Sequence, residues 1–356
     1  MGRSGVERVA GALGCLDGVA VVEGGAAASG WLLHPEHRID RVRVLVDGAE
    51  LGEAPVEARP DVARSFPGVK HAARAGFHVS GPLAPPASSL LRVETLGIAG
   101  GRTVTAAEEY WPAEALPALP APDAEMMERV SGSRDAAQFD RAGLGIAAQL
   151  LAAVQRHLPE VSAPRLLDWG SGSGRATRFM PSLWPGLHLA GCDIDAAAVA
   201  WCAAHMPEHA FHATGPFPPL PFGDAAFDAV LAASVMTHLT RPVQMRWLAE
   251  IRRVLAPGGV FVASVHGPLA ALPAPEAVRD RLARNGFVDA AADARLDGIA
   301  PPDYYRAAYQ TETWTRKTWG RVMPVVEYRA GGLTNYQDLV VLRRRPAGRL
   351  RRWLRG

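Results

Sequence analysis

The sequence predicts an α/β protein in which a parallel sheet with helices on both faces follows a smaller all-β domain. Short strands with period-two alternation, separated by turn residues, fill residues 1–108. Four prolines then fall within residues 111–125. Beyond them apolar strands alternate with helices, which is the pattern of right-handed βαβ units. At 356 residues the chain is long enough for about two domains.

The first domain is predicted to be a β-sandwich over residues 1–108. The segment "RVRVLV" (41–46) alternates polar and apolar side chains, and the Asp-Gly pair that follows is a hairpin signal. Helical periodicity is hard to find here, which favours two packed sheets. Further strands are expected at "SGWLLHP" (29–35), "AGFHVSG" (75–81) and "LLRVETLGIAGG" (90–101).

The second domain is predicted over residues 126–345, after a semi-rigid proline-rich linker at 109–125. A basic tail, residues 346–356, ends the chain. The last fourteen residues hold seven arginines, so the net charge of +2 becomes −5 without them. Two interpretations of the tail stay open: a solvated chain end, or a membrane-surface contact through anionic lipid or another polyanion. Nucleic-acid binding is not expected, because the body of the chain carries no basic stripe.

The cysteines and the N-terminus favour a cytoplasmic protein. Cys15, Cys192 and Cys202 provide no disulfide framework and suit a reducing compartment. No apolar run approaches the ~18 residues of a membrane span. Glu7 and Asp17 interrupt the first apolar stretch, so a secretion signal is not expected.

The second domain contains a series of apolar strands separated by helices. Its last two strands are joined by a connection too short for a crossover helix, so they are expected to pair antiparallel. The predicted strands are "RLLDW" (165–169), "LHLAGCD" (187–193), "FDAVLAAS" (227–234), "GGVFVASV" (258–265), "VMPVVEYR" (322–329) and "DLVVLRRR" (338–345).

A glycine-rich loop, within "LLDWGSGSGR" (166–175), follows the first of these strands. Gly170, Gly172 and Gly174 permit positive φ and let a ligand lie against backbone amides. Asp193 ends the next strand, where a carboxylate can accept both ribose hydroxyls. Ligands of open α/β sheets bind at this edge, so a nucleoside-containing cofactor is expected.

The spacing of the loop excludes two kinds of nucleotide site. A dinucleotide fingerprint needs Gly or Ala where Arg175 or Thr177 stands, and a P-loop needs a lysine that is not there. Asp168, at the mouth of the loop, would repel a pyrophosphate. It suits the cationic amino-acid end of S-adenosylmethionine.

At this point the second domain resembles class I S-adenosylmethionine-dependent methyltransferases of the type 11/12 kind. The resemblance includes "PPLPFGDAAFDAVLAASVMTHL" (218–239), "WLAEIRRVLAPGGVFVAS" (247–264) and "YQDLVVLRR" (336–344). It implies a Rossmann-like sheet of seven strands, one of them antiparallel, and S-adenosyl-L-methionine as cofactor. The implied cofactor-binding residues are Asp168, Gly170, Gly172, Gly174, Asp193, Ile194, Thr214, Phe217 and Ser234.

Recognition of adenine departs from the pattern of this family. Many relatives carry an acid just before the "LPF" segment, but no acid lies between His212 and Phe222 here. Backbone groups near Thr214, or packing on Phe217, are expected to replace it.

His238, in "SVMTHL", is the candidate catalytic residue. Methyl transfer needs alignment and sometimes a base, and the ordinary pKa of an imidazole suits that role near neutral pH. Two interpretations stay open. His238 acts as a base or binds the acceptor, or it caps the next helix together with Thr237.

Residues 267–319 form an insertion that is expected to build the acceptor pocket or its lid. Tyr305 and Tyr309 are four apart and would share one helix face, although packing onto the sheet is an equal alternative. The candidate acceptor-binding residues are Tyr304, Tyr305, Arg306 and Tyr309.

The insertion, "SVMTHL" and "GGLTNYQDLVVL" together are similar to methyltransferases encoded with glycosyltransferases in bacterial cell-surface polysaccharide synthesis. The first domain resembles a β-sandwich module found beside glycosyltransferase domains. These resemblances imply a sugar or glycan hydroxyl as acceptor and a glycosyltransferase as partner. A non-sugar small molecule as acceptor, and a non-catalytic scaffold, remain alternatives.

No metal site is expected, although "HMPEH" (205–209) matches the inverted zinc-protease pattern. That motif needs both histidines on one helix face, and Pro207 should end the helix between them.

Overall fold

A computed structural model describes residues 8–106, 108–116, 119–292, 296 and 298–346 of the chain. The Arg-rich tail beyond Pro346 therefore lies outside the described residues. The strands are β1 (Arg8–Ala10), β2 (Leu13–Val22), β3 (Gly25–Leu33), β4 (Arg41–Val46), β5 (Ala49–Pro55), β6 (Gly76–Pro82), β7 (Leu90–Ala99), β8 (Arg102–Thr105), β9 (Glu109–Pro112), β10 (Arg165–Trp169), β11 (His188–Asp193), β12 (Ala210–Ala213), β13 (Phe227–Ala232), β14 (Leu255–Val265), β15 (Phe287–Ala292), β16 (Arg306–Gln310), β17 (Val325–Leu333) and β18 (Gln337–Arg343).

Of the described α-helices, all but α1 come after the first region. The α-helices are α1 (Pro60–Ser65), α2 (Ala124–Ser131), α3 (Ala136–His157), α4 (Met180–Leu183), α5 (Ala196–His205), α6 (Arg241–Val254), α7 (Glu276–Asn285) and α8 (Glu312–Trp319). In the described ranges, no helix combines the length and the apolar character that crossing a membrane requires.

Strands β1 to β9 form two sheets, as expected for the first region, although the short helix α1 lies between β5 and β6. One has the order β1-β8-β7-β4-β5 with β9 added to β7, and the other has the order β2-β3-β6. The predicted hairpin joins β4 to β5, with Asp47 and Gly48 at φ of 50° and 85°, as its turn type requires. Buried side chains of both sheets, including Leu32 and Val44, share one apolar core.

The predicted linker begins too early. Glu109–Pro112 form β9, which pairs antiparallel with β7, so these four residues belong to the first sheet. The next helix, α2, begins at Ala124, where the Asp123 carboxylate accepts a hydrogen bond from the Met126 amide at 2.8 Å. The connection is thus residues 113–123, and the other domain limits stay predictions.

The second region is built on a seven-stranded sheet of order β12-β11-β10-β13-β14-β18-β17. Strand β18 runs antiparallel to both of its neighbours, while the pairs from β12 to β14 are parallel. The predicted sheet with a single antiparallel strand is therefore confirmed. Strand β12 was not expected, because its four residues form a half-exposed edge rather than an apolar run.

Helices cover both faces of this sheet. Val260 of β14 packs in the same core as Leu150 of α3, and the next residue, Phe261, packs with Trp247 of α6 on the opposite face. This alternation is the period-two geometry of a strand that is buried on both sides.

The insertion between β14 and β17 contains α7, the β15–β16 hairpin and α8. The hairpin meets the main sheet at one parallel bridge, where the Gln310 amide donates to the His266 carbonyl at 2.9 Å. The expected helix over Tyr305 and Tyr309 is wrong, because Tyr309 lies in β16. Tyr305 lies just before this strand, and its ring contacts His238 while that of Tyr309 contacts His266.

Candidate functional site

A cavity of about 510 Å³ lies at the carboxyl ends of β10, β11, β13 and β14. Its volume is within the range of small-molecule sites, roughly 300–1,000 Å³. The structure brings most of the predicted site residues to this cavity. They are Asp168, Gly170, Gly172, Asp193, Ile194, Ser234, His238, Tyr304, Tyr305 and Tyr309.

The glycine loop forms one wall. The Gly170 amide donates to the Cys192 carbonyl at 2.8 Å, which ties the loop to the end of β11. Gly170 has φ of 81°, and an added Cβ would collide with the side chain of Val235. Only glycine fits this position without strain.

Two buried carboxylates stand beside the loop. Asp168 is 4% exposed and accepts a hydrogen bond from the Thr177 hydroxyl at 2.5 Å. Burial raises the pKa of Asp168 to about 6. Asp193 accepts from the amides of Gly172 and Asp195, each at 2.8 Å, and burial raises its pKa too. The loop side of the cavity therefore favours a cationic ligand group.

Two arginines also line this side. Arg129 of α2 forms an ion pair with Asp195, the residue that caps α5. Arg175 forms no hydrogen bond or ion pair with other described residues, and burial lowers its pKa to about 10. Asp168 and Arg175 both line the cavity, and together they offer an anion for the ammonium and a cation for the carboxylate of an α-amino acid.

The opposite side of the cavity is aromatic. The His238 ring stacks on Tyr305, with centroids 3.9 Å apart and planes 14° from parallel. The His266 ring meets His238 edge-on at 5.8 Å and lies 5.4 Å from Tyr309 and 5.9 Å from Tyr336. These five rings form what we call the aromatic wall.

Three tyrosines of the cavity, Tyr304, Tyr309 and Tyr336, remain neutral phenols near neutral pH. Burial raises the pKa of Tyr304 to about 12, and its hydroxyl accepts from Trp247 Nε1 at 3.3 Å. Burial also raises the pKa values of Tyr309 and Tyr336. The Tyr336 hydroxyl donates to the Ala270 carbonyl at 3.2 Å.

Two of the predicted cofactor residues lie away from the cavity lining. Gly174, at φ of 74°, faces α5, where an added Cβ would lie 2.8 Å from Met206 Cε. Thr214 uses its amide to donate to the Asp193 carbonyl at 2.8 Å, which extends the β11–β12 pairing. Both support the site from outside.

The remaining two predicted residues are outside the cavity lining as well. Phe217 is 42% exposed and packs edge-on against Tyr304, with centroids 5.5 Å apart. Arg306 donates to the Asp303 carboxylate at 3.0 Å and the Ala290 carbonyl at 2.7 Å. Arg306 thus braces the β15–β16 hairpin.

The interpretation of His238 and Thr237 as helix caps is wrong. Helix α6 begins at Arg241, and its N-cap residue is Thr240. His238 instead ends a short 3₁₀ turn that projects its ring into the cavity.

The lining residues that sequence reasoning missed include Arg129, Arg175, His266, Tyr336 and Gln337. His266 had a usable signal, because it directly follows β14 at the ligand-binding edge of the sheet. Gln337 begins β18 and donates to the Ser234 hydroxyl at 2.9 Å.

Within the described ranges, no group of three or more His, Cys, Asp or Glu side chains is arranged to hold a metal ion. Helix α5 ends at His205, before Pro207, as the sequence predicts.

The second region is similar in sequence to known methyltransferases. A family model described as a methyltransferase domain matches residues 167–263. Over 187 residues the chain is 30% identical to malonyl-[acyl-carrier protein] O-methyltransferase of Herminiimonas arsenicoxydans, a match that covers 52% of this chain and 69% of that protein. The Hahella chejuensis enzyme of the same name is 31% identical over 124 residues, covering 32% of this chain and 44% of that protein.

A solved structure gives a weaker likeness. Burkholderia thailandensis 1,6-didemethyltoxoflavin-N1-methyltransferase, with bound 1,6-didemethyltoxoflavin and S-adenosylhomocysteine, is 18% identical with a TM-score of 0.43. That match covers 67% of this chain and 96% of that chain. From the sequence matches, this chain belongs to the S-adenosylmethionine-dependent methyltransferases, and it is an enzyme whose cofactor is S-adenosyl-L-methionine.

Proposed function

We propose that the enzyme methylates a hydroxyl group of a sugar or glycan. The aromatic wall supports this proposal most directly. It offers flat apolar faces, two imidazoles and neutral phenols, while Ser234 and Gln337 add hydrogen-bonding groups at its edge. A neutral acceptor rich in hydroxyls matches a wall of this composition.

We call the side of the cavity with the glycine loop, Asp168 and Arg175 the donor half, and the side with the aromatic wall the acceptor half. The side chains of the donor half fit the cofactor by their chemistry. We assign Asp168 to the ammonium and Arg175 to the carboxylate of the methionine moiety. When bound, S-adenosylmethionine supplies an electrophilic methyl carbon on a sulfonium, and the electron pair of the broken carbon–sulfur bond stays on sulfur.

In this proposal His238 holds the acceptor proton. Its ring lies in the aromatic wall, where the stack on Tyr305 fixes the orientation of the imidazole. The proton leaves the acceptor hydroxyl for an imidazole nitrogen as the new carbon–oxygen bond forms. Tyr304, Tyr305 and Tyr309 orient the acceptor in contact with the wall.

A second candidate acceptor is a carboxyl group carried on a protein, because two relatives are named malonyl-[acyl-carrier protein] O-methyltransferases. A carboxylate acceptor calls for a cation beside it. Among the described lining residues, the arginines are Arg129 and Arg175, both on the donor side. This placement favours the sugar.

We also propose that the first region is the β-sandwich module of a polysaccharide-modifying enzyme. A glycosyltransferase is its proposed partner, and the basic tail is proposed to contact a membrane surface. The two sheets of the first region share one apolar core, which supports the sandwich architecture. The tail proposal rests on its arginines alone.

The test is methyl transfer from labelled S-adenosylmethionine to a panel of nucleotide sugars, glycan fragments and a malonyl-thioester carrier. We expect label in a sugar product from the wild-type enzyme and almost none from His238→Ala. Label in the carrier alone would identify the second candidate. Cofactor binding by calorimetry without transfer to any acceptor would favour the non-catalytic scaffold.

A further inference from the structure

The β17–β18 turn holds part of the cavity wall. Thr334 and Asn335 have φ of 55° and 54°, a left-handed pair that reverses the chain before β18. The next two residues, Tyr336 and Gln337, line the cavity. The position of this turn therefore sets the position of two wall residues.

Side chains from outside the turn hold it. The Asn335 side-chain amide donates to Glu109 Oε1 at 2.8 Å, although the two residues are 226 positions apart. Glu109 lies in β9 of the first region, and it also accepts from the Leu16 amide of β2 at 3.2 Å. One carboxylate thus joins both N-terminal sheets to the turn.

A second contact holds the other turn residue. The Thr334 amide donates to Gln149 Oε1 at 3.0 Å, and Gln149 Nε2 donates to the Glu108 carbonyl at 2.6 Å. Gln149 is 7% exposed and lies in α3. Both turn residues are therefore tied to β9 or to its neighbour Glu108. We call Glu109, Gln149 and the turn the β9 clamp.

Apolar packing brings the first region to the same wall. Leu13, Leu33 and Phe66 form one buried cluster with Leu269, three residues after His266. Tyr336 packs against this cluster, and its hydroxyl holds the carbonyl of Ala270 in the same segment. The first region thus packs against Tyr336 and against the segment that follows His266.

We propose that Glu109 is a positioning residue for methyl transfer: through the β9 clamp, the first region holds Tyr336 and Gln337 in the acceptor half of the cavity. The N-terminal sheets then form part of the working site rather than an independent attachment. This inference rests on the proposed function in one respect, namely that the acceptor lies against the aromatic wall.

The test compares three variants of the full chain. Glu109→Ala removes the acceptor of both hydrogen bonds, whereas Glu109→Gln keeps an oxygen in place and is the rescue. Glu53→Ala is the matched control, because Glu53 pairs with Arg41 and Arg43 within the same sheet and does not touch the turn. Thermal unfolding followed by circular dichroism checks that each variant is folded.

The first measurement is hydrogen exchange of the backbone around the turn, which needs no acceptor. In Glu109→Ala we expect exchange in residues 333–337 about tenfold faster, with wild-type rates in Glu109→Gln and Glu53→Ala. Unchanged exchange in Glu109→Ala, or the same increase in Glu53→Ala, would overturn the clamp.

The second measurement locates the effect within the cavity. Calorimetry with S-adenosylhomocysteine should give a Kd for Glu109→Ala within twofold of wild type. A tenfold loss of affinity for S-adenosylhomocysteine would show that the clamp acts on the donor half and would refute the proposal.

The third measurement is steady-state kinetics with a nucleotide sugar that the wild type methylates. In Glu109→Ala, KM for this sugar should rise about tenfold while kcat changes less, and Glu109→Gln should have the wild-type KM. Failure of the wild type on every sugar would refute the proposed function alone, since the exchange and calorimetry results are independent of it.

Discussion

The imidazole of His238 lies flat against the ring of Tyr305, with centroids 3.9 Å apart and planes 14° from parallel. His266 meets the same imidazole edge-on at 5.8 Å, so the ring of His238 is constrained on a face and at an edge. This packing determines the direction in which its nitrogen atoms can accept a proton.

Replacing Tyr305 should therefore slow methyl transfer through His238. We expect Tyr305→Ala to lower kcat by roughly ten- to a hundredfold, within the ~10²–10⁴ range of general-base catalysis. Tyr305→Phe keeps the stacked ring and should lose much less. Single-turnover rates with a sugar that the wild type methylates measure this, and equal losses in both variants would show that the stack does not orient His238.

Arg175 should determine affinity for the carboxylate of the cofactor. Arg175→Met removes a guanidinium that makes no hydrogen bond or ion pair with the other described residues. We therefore expect S-adenosylmethionine to bind at least about tenfold more weakly, the usual loss of a charge-assisted hydrogen bond. Binding of decarboxylated S-adenosylmethionine should hardly change. Arg165→Met is the control, because Arg165 pairs with Asp228 at the other end of β10. Equal losses for both ligands would contradict the assignment.

The pH dependence of cofactor binding should follow Asp168. Burial raises its pKa from 3.8 to about 6 in the free protein, and only the ionised form attracts the ammonium group. Affinity should therefore be constant above pH ~6 and fall below it by up to about tenfold per pH unit. Calorimetry with S-adenosylhomocysteine from pH 5 to 8 measures this. Asp168→Asn should bind weakly with a flatter profile, and Asp228→Asn should keep the wild-type profile.

The free energy of unfolding should decrease as the pH rises, because the buried side chain of Glu109 then loses its proton. Burial raises the pKa of Glu109 from 4.5 to about 7, and the negative charge of Asp17 acts in the same direction. Cys15 on β2 is also a neighbour of Glu109, and Arg59 forms an ion pair with Asp17. The folded state thus binds this proton more tightly than the unfolded state. The contribution of this proton to the free energy of unfolding is complete below pH ~4.5. It is lost as the pH rises through 7, and the loss is at most about 3 kcal/mol.

Urea unfolding of wild type and Glu109→Gln at pH 5 and pH 8 tests this sign. The free energy of unfolding of the wild type, relative to the variant, should fall between the two pH values. Parallel pH curves for the two proteins would show that Glu109 has an ordinary pKa in the folded state.

The sequence predicts the second region well because its strands are buried on both faces. Continuous apolar runs such as "RLLDW" (165–169) and "GGVFVASV" (258–265) have few alternative structures. Strand β12 escapes this reasoning, since its residues lie at a half-exposed edge. The first residues of the linker were misplaced because β9 is short and is defined by its pairing with β7, which a local pattern does not contain.

The donor half was more predictable than the acceptor half. Asp168 and Asp193 follow from strand ends and loop spacing, which are local signals. Tyr336 reaches the aromatic wall only through the long-range pairing of β18 with β14, so its position depends on tertiary structure. Gly174 was close in sequence to the cavity residues, but its turn faces α5 instead.

The β15–β16 hairpin forms a two-stranded sheet of its own, attached to the seven-stranded sheet at the bridge between His266 and Tyr309. The glycine loop, Asp168 and Asp193 all precede this segment in the chain. Residues 267–319 are nevertheless built into the core, because Trp319 is fully buried and its Nε1 donates to Gln244 Oε1 at 3.0 Å. Single substitutions at its cavity-lining tyrosines, rather than a graft of the whole segment, should therefore change the acceptor preference and leave the machinery for the methyl donor intact.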